Sequence, residues 1–276
     1  MSPVPDSILD PLPDPIPDPG TGTVPNPGTG PRHRLLRRPR RLAAVGIGTV
    51  TALVAAGALV HGADAATITK GTGYNFGSGY SAINGSFTSV TANWIQPTAV
   101  CAGGDQQTGF WVGLSGAGTI AQTGTAANCN GTTPDYYAWW EMYPAAGVPM
   151  TVKTAPGDHI HASVTYQGNN VFTLKLANVT QGWTKTETET QVSTGGTPTS
   201  ANVIVEANSD TGAAGSSGNV TDFGSVTFGG ATANGQNLGN FDLWTGNLQD
   251  MKGVQEDSIS GLTGGRLFTA TWLSTG

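Results

Sequence analysis

From Ser86 onward the chain is a succession of short segments in which polar and apolar residues alternate, with turn residues between them. This period of two restricts the fold more than anything else in the sequence. The runs "SFTSVTANWIQP", "FWVGLSG", "YYAWWEMYP", "HIHASVTY", "NVFTLKLANV", "ANVIVEA" and "RLFTATWLS" are each of strand length and rich in β-branched or aromatic residues. Turn signals such as "PGD", "QGNN" and "TGG" separate them, and nothing sustains a 3.6-residue apolar period over a helix length. About ten strands without interspersed helices specify an all-β, antiparallel sandwich or barrel. The strand-like "TWLSTG" carries that pattern to the last residues.

The first quarter reads differently. Residues 1–30 repeat Pro and Asp with almost nothing apolar to bury, which predicts a disordered tail. Residues 31–65 hold the basic cluster "PRHRLLRRPRR", the uncharged stretch Leu42–Val60 and the small-residue site "ADA" at Ala63–Ala65. That order is the order of a secretory signal. An uncleaved anchor is the alternative, because an apolar run of about 19 residues can also span a bilayer. Cleavage would leave residues 66–276 as a single secreted, extracellular domain without stable membrane association.

In that domain one arginine and five lysines stand against thirteen acids, too few cations for a nucleic-acid partner. The two cysteines, Cys101 and Cys129, are expected to form one disulfide in an oxidising compartment. No set of thiols and imidazoles suggests a metal, and no cofactor is implied.

Several residues invite chemical readings. Ser115 in "GLSGAG" lacks the glycine two positions on that a nucleophile elbow needs, Ala117 standing there. His159 and His161 would share one face of a strand, two ligands without a third. Asp210 in "SDTG" resembles an aspartic-protease tripeptide, but only one copy exists and a polar turn precedes it, so it reads as a turn residue. Glu206 is different. If "NVIVE" is a strand, Val203 and Val205 face one side while Asn202, Ile204 and Glu206 face the other. A carboxylate in line with Ile204 is costly to bury unless it is hydrogen-bonded or useful. In the same way Tyr137, Trp139, Glu141 and Tyr143 share a face, and Gln122 follows Ile120. Polar groups among aromatics describe a cleft on a sheet. From pattern alone a solvated sheet face or a sugar-binding groove accounts for them equally well.

In this order, "SFTSVTANWIQPTAVC", "FWVGLSG", "IAQTGT", "YYAWWEMYP", "PGDHIHASVTY" and "ANVIVE" resemble the glutamic peptidases, or eqolisins, a family of secreted acid endopeptidases. The likeness runs from about Asn75 past Glu206 and thins beyond residue 225. It implies a single-domain β-sandwich of two large antiparallel sheets, of the concanavalin A-like or jelly-roll type, with a substrate cleft on the concave sheet. It also implies a monomer that acts on proteins or peptides. The family's catalytic glutamine corresponds to Gln122 and its glutamate to Glu206. Its tryptophan in "WVG" corresponds to Trp111, and the Trp and Glu of the aromatic segment to Trp139 and Glu141, with Tyr137 and Tyr143 beside them as substrate-binding residues. In the implied mechanism Glu206 takes a proton from water and later protonates the leaving amine. Gln122 orients the water and donates to the oxyanion. Hydrogen bonds to the charged Glu206 are expected to lower its pKa toward an acid working range, about pH 3–5.

The chain departs from the family at several positions. Ser115 and Tyr137 stand where relatives carry aspartates, Asn202-Val203 replaces Glu-Trp, and Asn75-Phe76 replaces Asn-Trp. These losses are expected to move the working pH upward or weaken catalysis. Two other readings use the same residues. One is a non-catalytic module binding glycans or peptides on Trp111, Trp139 and Tyr143. The other is a glycosidase pairing Glu141 with Glu206.

Overall fold

The computed structural model describes residues 66–71, 77–192, 196–207 and 219–276. The Pro/Asp-rich tail, the signal-like segment and Asp210 lie outside the described residues, as do Asn75 and Phe76. Among the described residues no helix is long and apolar enough to cross a membrane.

Among the described residues sixteen strands form two sheets, numbered here in chain order, with one short 3-10 turn at Leu238–Asn240. The first sheet runs β1 (Ile68–Lys70), β14 (Leu243–Gly246), β2 (Gly77–Ala82), β11 (Ser200–Glu206), β4 (Gly109–Gly116), β5 (Thr119–Asn130), β6 (Thr133–Tyr143) and β7 (Val148–Pro149). The second runs β10 (Trp183–Thr190), β9 (Val171–Asn178), β8 (His159–Gly168), β3 (Ser89–Ile95), β12 (Ser225–Ala233), β16 (Phe268–Trp272) and β15 (Asp257–Ile259), with β13 (Gln236–Asn237) paired to β12. Every pairing between these strands is antiparallel except β1 with β14. The expected all-β sandwich is therefore the observed architecture.

Alternation along the strands explains the layering. Val203, Val205, Phe110, Val112, Leu114, Ala138 and Met142 all point inward from the first sheet. They meet Val90, Trp94, Ile160, Val164, Leu174, Leu176, Phe228 and Phe268 of the second. Burying such side chains contributes roughly 25 cal/mol per Å² of apolar surface and is the main force holding the sheets together. Trp94 also reaches across, its Nε1 donating to Thr125 Oγ1 at 3.1 Å. A disulfide joins Cys101 to Cys129, as expected for an oxidising compartment.

Register on the first sheet is pinned by the β4–β5 hairpin. Gly116 pairs with Thr119, leaving a two-residue loop in which Ala117 and Gly118 both have positive φ, 50° and 78°. Two positive φ values match the right-handed strand twist and hold a tight hairpin. A slip of one residue would send every side chain of these strands to the opposite face.

Candidate functional site

The face of the first sheet that points away from the core carries the polar and aromatic residues singled out above. Cross-strand pairing sorts them into rows. One row reads Asn202, Gly113, Gln122, Glu141 across β11, β4, β5 and β6. The next reads Ile204, Trp111, Gly124, Trp139, and the third reads Glu206, Gly109, Ala126, Tyr137. On the other side of β11, Gly79 pairs with Ile204 and Gly77 with Glu206. Tyr143 pairs with Ile120 and is exposed at the cleft's end. Gln122, Trp111, Trp139, Glu141, Glu206, Tyr137 and Tyr143 thus share one sheet face, as the period of two requires.

Glycines make this face hollow. A Cβ at Gly124 would lie 2.1 Å from Phe110 O and 2.7 Å from Trp111 Cβ. A Cβ at Gly113 would lie 3.0 Å from both Gln122 Cβ and Trp111 Cζ3. The glycines of "WVG" and "QTG" thus leave room for the Trp111 ring and the Gln122 side chain.

Two hydrogen-bonded couples occupy the hollow. Trp111 Nε1 donates to Glu206 Oε2 at 2.8 Å. Gln122 Nε2 donates to Glu141 Oε2 in a short contact. Gln122 is thus held by Glu141, not by Glu206. Its Oε1 is buried with no hydrogen-bond partner, and so is Trp139 Nε1. Buried polar atoms are usually paired in folded proteins; these two are among eight unpaired ones in the described residues, and they add an acceptor and a donor to this face. Trp111, Ala126, Trp139 and Ile204 form an apolar patch here, with Ile120, Tyr137 and Trp244 packed against it.

Electrostatics overturn one expectation. Burial pushes Glu206 up to about 7; the Trp111 hydrogen bond opposes that shift and the Glu141 charge adds to it. The indole N–H favours the carboxylate, as anticipated, but desolvation outweighs it. Burial also raises Glu141, against the hydrogen bond from Gln122.

Where relatives carry acids, a neutral network stands. Asn202 Nδ2 donates to Gly113 O and to Ser115 Oγ, both at 3.1 Å, and Ser200 Oγ donates to Asn202 Oδ1 at 3.3 Å. Ser115 and Ser200 hydroxyls lie 2.5 Å apart. Ser115 is thus a member of a hydrogen-bonded group with no histidine in it. His159 and His161 lie on the other sheet, exposed and paired across strands with Ile95 and Asn93. Among the described residues no cluster of three or more His, Cys, Asp or Glu could hold a metal.

The sequence reading did not single out Trp244. It comes from "FDLWTGN", and β14 brings it onto the cleft face in register with Ser81 of β2. The signal was the alternation of Leu243, buried, with Trp244, half-buried.

The sequence profile of the Peptidase A4 family matches residues 75–264. Among solved structures, the chain is similar to scytalido-glutamic peptidase in complex with a transition-state analogue inhibitor. The identity is 22% over 73% of this chain and 100% of that one, and the TM-score is 0.62. It is also similar to SCP-B, a member of the eqolisin family in complex with the tripeptide Ala-Ile-His, at 21% identity over 73% and 100% of the two chains, TM-score 0.56. Aspergilloglutamic peptidase from Aspergillus niger is 27% identical over 61% of this chain and 99% of that one, with a TM-score of 0.53. No curated protein sequence matches the chain.

Proposed function

The chain belongs to the Peptidase A4 family and is a peptidase, and from that premise we propose that it is a secreted endopeptidase whose chemistry is carried by Gln122 and Glu206. The observation that carries this reading is the pair of couples in the hollow. Glu206 is held by an N–H donor, and Gln122 has one end fixed and the other free. Glu206, when ionised, accepts a proton from the attacking water; as a neutral acid it then protonates the leaving nitrogen. Gln122 contributes both ends of its amide. One N–H is engaged by Glu141, the second N–H donates to the developing oxyanion, and Oε1 accepts from the water. Trp111 keeps the carboxylate aimed and favours its charged form. Protein or peptide substrates would lie across the strands over the apolar patch.

A Glu206 pKa of about 7 moves the working range. A general base must be ionised in the free enzyme, so kcat/KM should rise with pH toward about 7 instead of peaking near 3–5. The neutral, hydrogen-bonded Ser115 and Asn202 add no negative charge to this face, so the upward shift of Glu206 rests on burial and on Glu141. Export rests on the order of basic, apolar and small residues in positions 31–65.

The test is a pH–rate profile on an unfolded protein substrate for wild type, Gln122→Ala, Glu206→Gln and Asp210→Asn. Glu206→Gln should lose about 10²–10⁴-fold and Gln122→Ala about 10²–10³-fold. Asp210→Asn should stay near wild type, and neither pepstatin nor a chelator should inhibit. Activity that survives Glu206→Gln but not Asp210→Asn sinks the assignment.

A further inference from the structure

The second sheet has a hollow of its own on the face turned away from the core. β8 lies between β3 and β9, and His159 and His161 are exposed on either side of the buried Ile160. On β3 their cross-strand partners are Ile95 and Asn93, and on β9 the partner of His161 is Ala177. Both imidazoles line a groove of about 900 Å³, shared with Asn93, Ile95, Val179 and Thr227.

Glycines of β12 draw the nearest polar neighbour aside. A Cβ at Gly229 would lie 3.0 Å from Asn93 Oδ1, and one at Gly230 would lie 2.8 Å from Asn93 Nδ2. The Asn93 amide therefore leans toward β12, on the side away from β8. Ala177 on the other flank offers only a methyl, so neither neighbour covers His161.

Chemistry narrows what such a pair can hold. His159 donates its backbone N–H to Thr180 Oγ1 at 2.9 Å, and neither imidazole has a hydrogen-bond or ion-pair partner among the described residues. No carboxylate, lysine or arginine lines the groove. Imidazole nitrogens without carboxylates suit Cu²⁺, Ni²⁺ and Zn²⁺, whereas Ca²⁺ and Mg²⁺ require oxygen ligands. Alternate positions of a strand lie about 6.8 Å apart, so two exposed rings bending toward each other over Ile160 can reach one ion. Pairing on both sides fixes β8, so the two rings are presented at constant spacing and little ordering is lost on binding.

We propose that His159 and His161 form a surface site for a transition-metal ion, Cu²⁺ held most tightly, on the sheet opposite the catalytic cleft. The two imidazoles chelate the ion and water completes its coordination. Binding to the native strand and not to the unfolded chain stabilises the fold by mass action. The site lies outside the cleft, so the ion takes no part in peptide hydrolysis, and the inference does not depend on the roles given to Gln122 and Glu206.

The experiment titrates Cu²⁺, and separately Ni²⁺, into the untagged full-length chain, reading Kd by calorimetry and the melting temperature at each metal concentration. The chain has four histidines, so the reference is His33→Gln/His61→Gln, in which His159 and His161 are the only ones left. It should bind Cu²⁺ as wild type does, and more tightly than Ni²⁺. Adding His159→Gln or His161→Gln removes the chelate and should weaken Cu²⁺ at least tenfold. Saturating Cu²⁺ should raise the melting temperature of the reference and not that of either added variant. The paramagnetic resonance spectrum of the one-to-one Cu²⁺ complex of the reference should show coupling to two imidazole nitrogens. Cu²⁺ affinity unchanged by both added variants, or a melting temperature of the reference unmoved by Cu²⁺, overturns the site. If an added variant melts lower than the reference without metal, the spectrum of the reference decides: two coupled imidazoles uphold the site and fewer overturn it.

Discussion

The indole N–H of Trp111 points at Glu206 Oε2 from 2.8 Å, joining the middle row of the cleft to the row that carries the carboxylate. Ordinary burial would leave Glu206 a neutral acid over most of the pH scale below 7, and this N–H is the group that opposes it. Trp111→Phe keeps the ring and removes the donor. Glu206 should then rise further, so the acidic limb of kcat/KM moves to higher pH. A hydrogen bond to a charged group contributes about 1.5–3 kcal/mol, so activity at pH 5 should fall about tenfold or more. A limb left in place would show that the indole does not act on the carboxylate.

Glu141 acts on Glu206 in the opposite sense, its charge holding the neighbouring carboxyl up. Glu141→Gln removes that charge while keeping an amide oxygen to accept from Gln122. The acidic limb should move to lower pH, with activity retained. The same variant separates two enzyme classes. A two-carboxylate glycosidase would lose all turnover on removal of either acid.

Much of this site could be read from the sequence because strand alternation is a local rule. Asn202, Ile204 and Glu206 were placed on one face by counting, and so were Tyr137, Trp139 and Glu141. What counting cannot give is the register between strands. That Gln122 lies opposite Glu141, and that Trp111 reaches Glu206 across 95 positions of sequence, depends on hairpin geometry and on the meeting of distant strands. The sign of the Glu206 shift is not legible in the sequence for a related reason. The number of hydrogen bonds could be imagined from residue types, but the desolvation set by surrounding strands could not. Trp244 escaped because its strand is four residues long and pairs with a strand over 160 positions earlier.

The two glycines beside Trp111 should fail in different ways. At Gly124 an added methyl meets backbone, Phe110 O at 2.1 Å, which cannot move without breaking the β4–β5 ladder. Gly124→Ala should cost about 1–3 kcal/mol or more, read as a lower midpoint in urea. At Gly113 the closest side-chain atoms belong to Gln122 and Trp111, each at 3.0 Å. Backbone is farther off there, Ala121 O at 3.1 Å, so Gly113→Ala should cost less stability than Gly124→Ala yet lose on the order of 100-fold in kcat/KM through displacement of those two groups. Equal stability losses in the two variants would contradict this division.

A second group of buried carboxyls should link stability to pH. Asp250, Glu256 and Asp257 are all buried, and Asp257 accepts from Ser78 Oγ and from Leu248 N. Ser78 is the register partner of Val205, next to Glu206, so the group is tied to the strand that pairs with β11. Glu256 is pushed up to about 7 by burial and then by the charges of Asp250 and Asp257. Asp257 is pushed to about 6, again chiefly by burial. A folded-state pKa above the unfolded value means that the native protein holds the proton more tightly. The stability from that linkage is complete below about pH 4 and is lost as pH rises through 6 and 7. The melting temperature should therefore fall between pH 4 and pH 8. Glu256→Gln, which cannot ionise, should flatten the fall. With Glu206 as the proposed base, ionisation needs rising pH while these carboxyls lose stabilisation over the same range, so activity should be greatest between the two, on the acid side of neutrality. A melting temperature that rises from pH 4 to pH 8, or a Glu256→Gln slope equal to wild type, would show that these carboxyls are not what limits the fold.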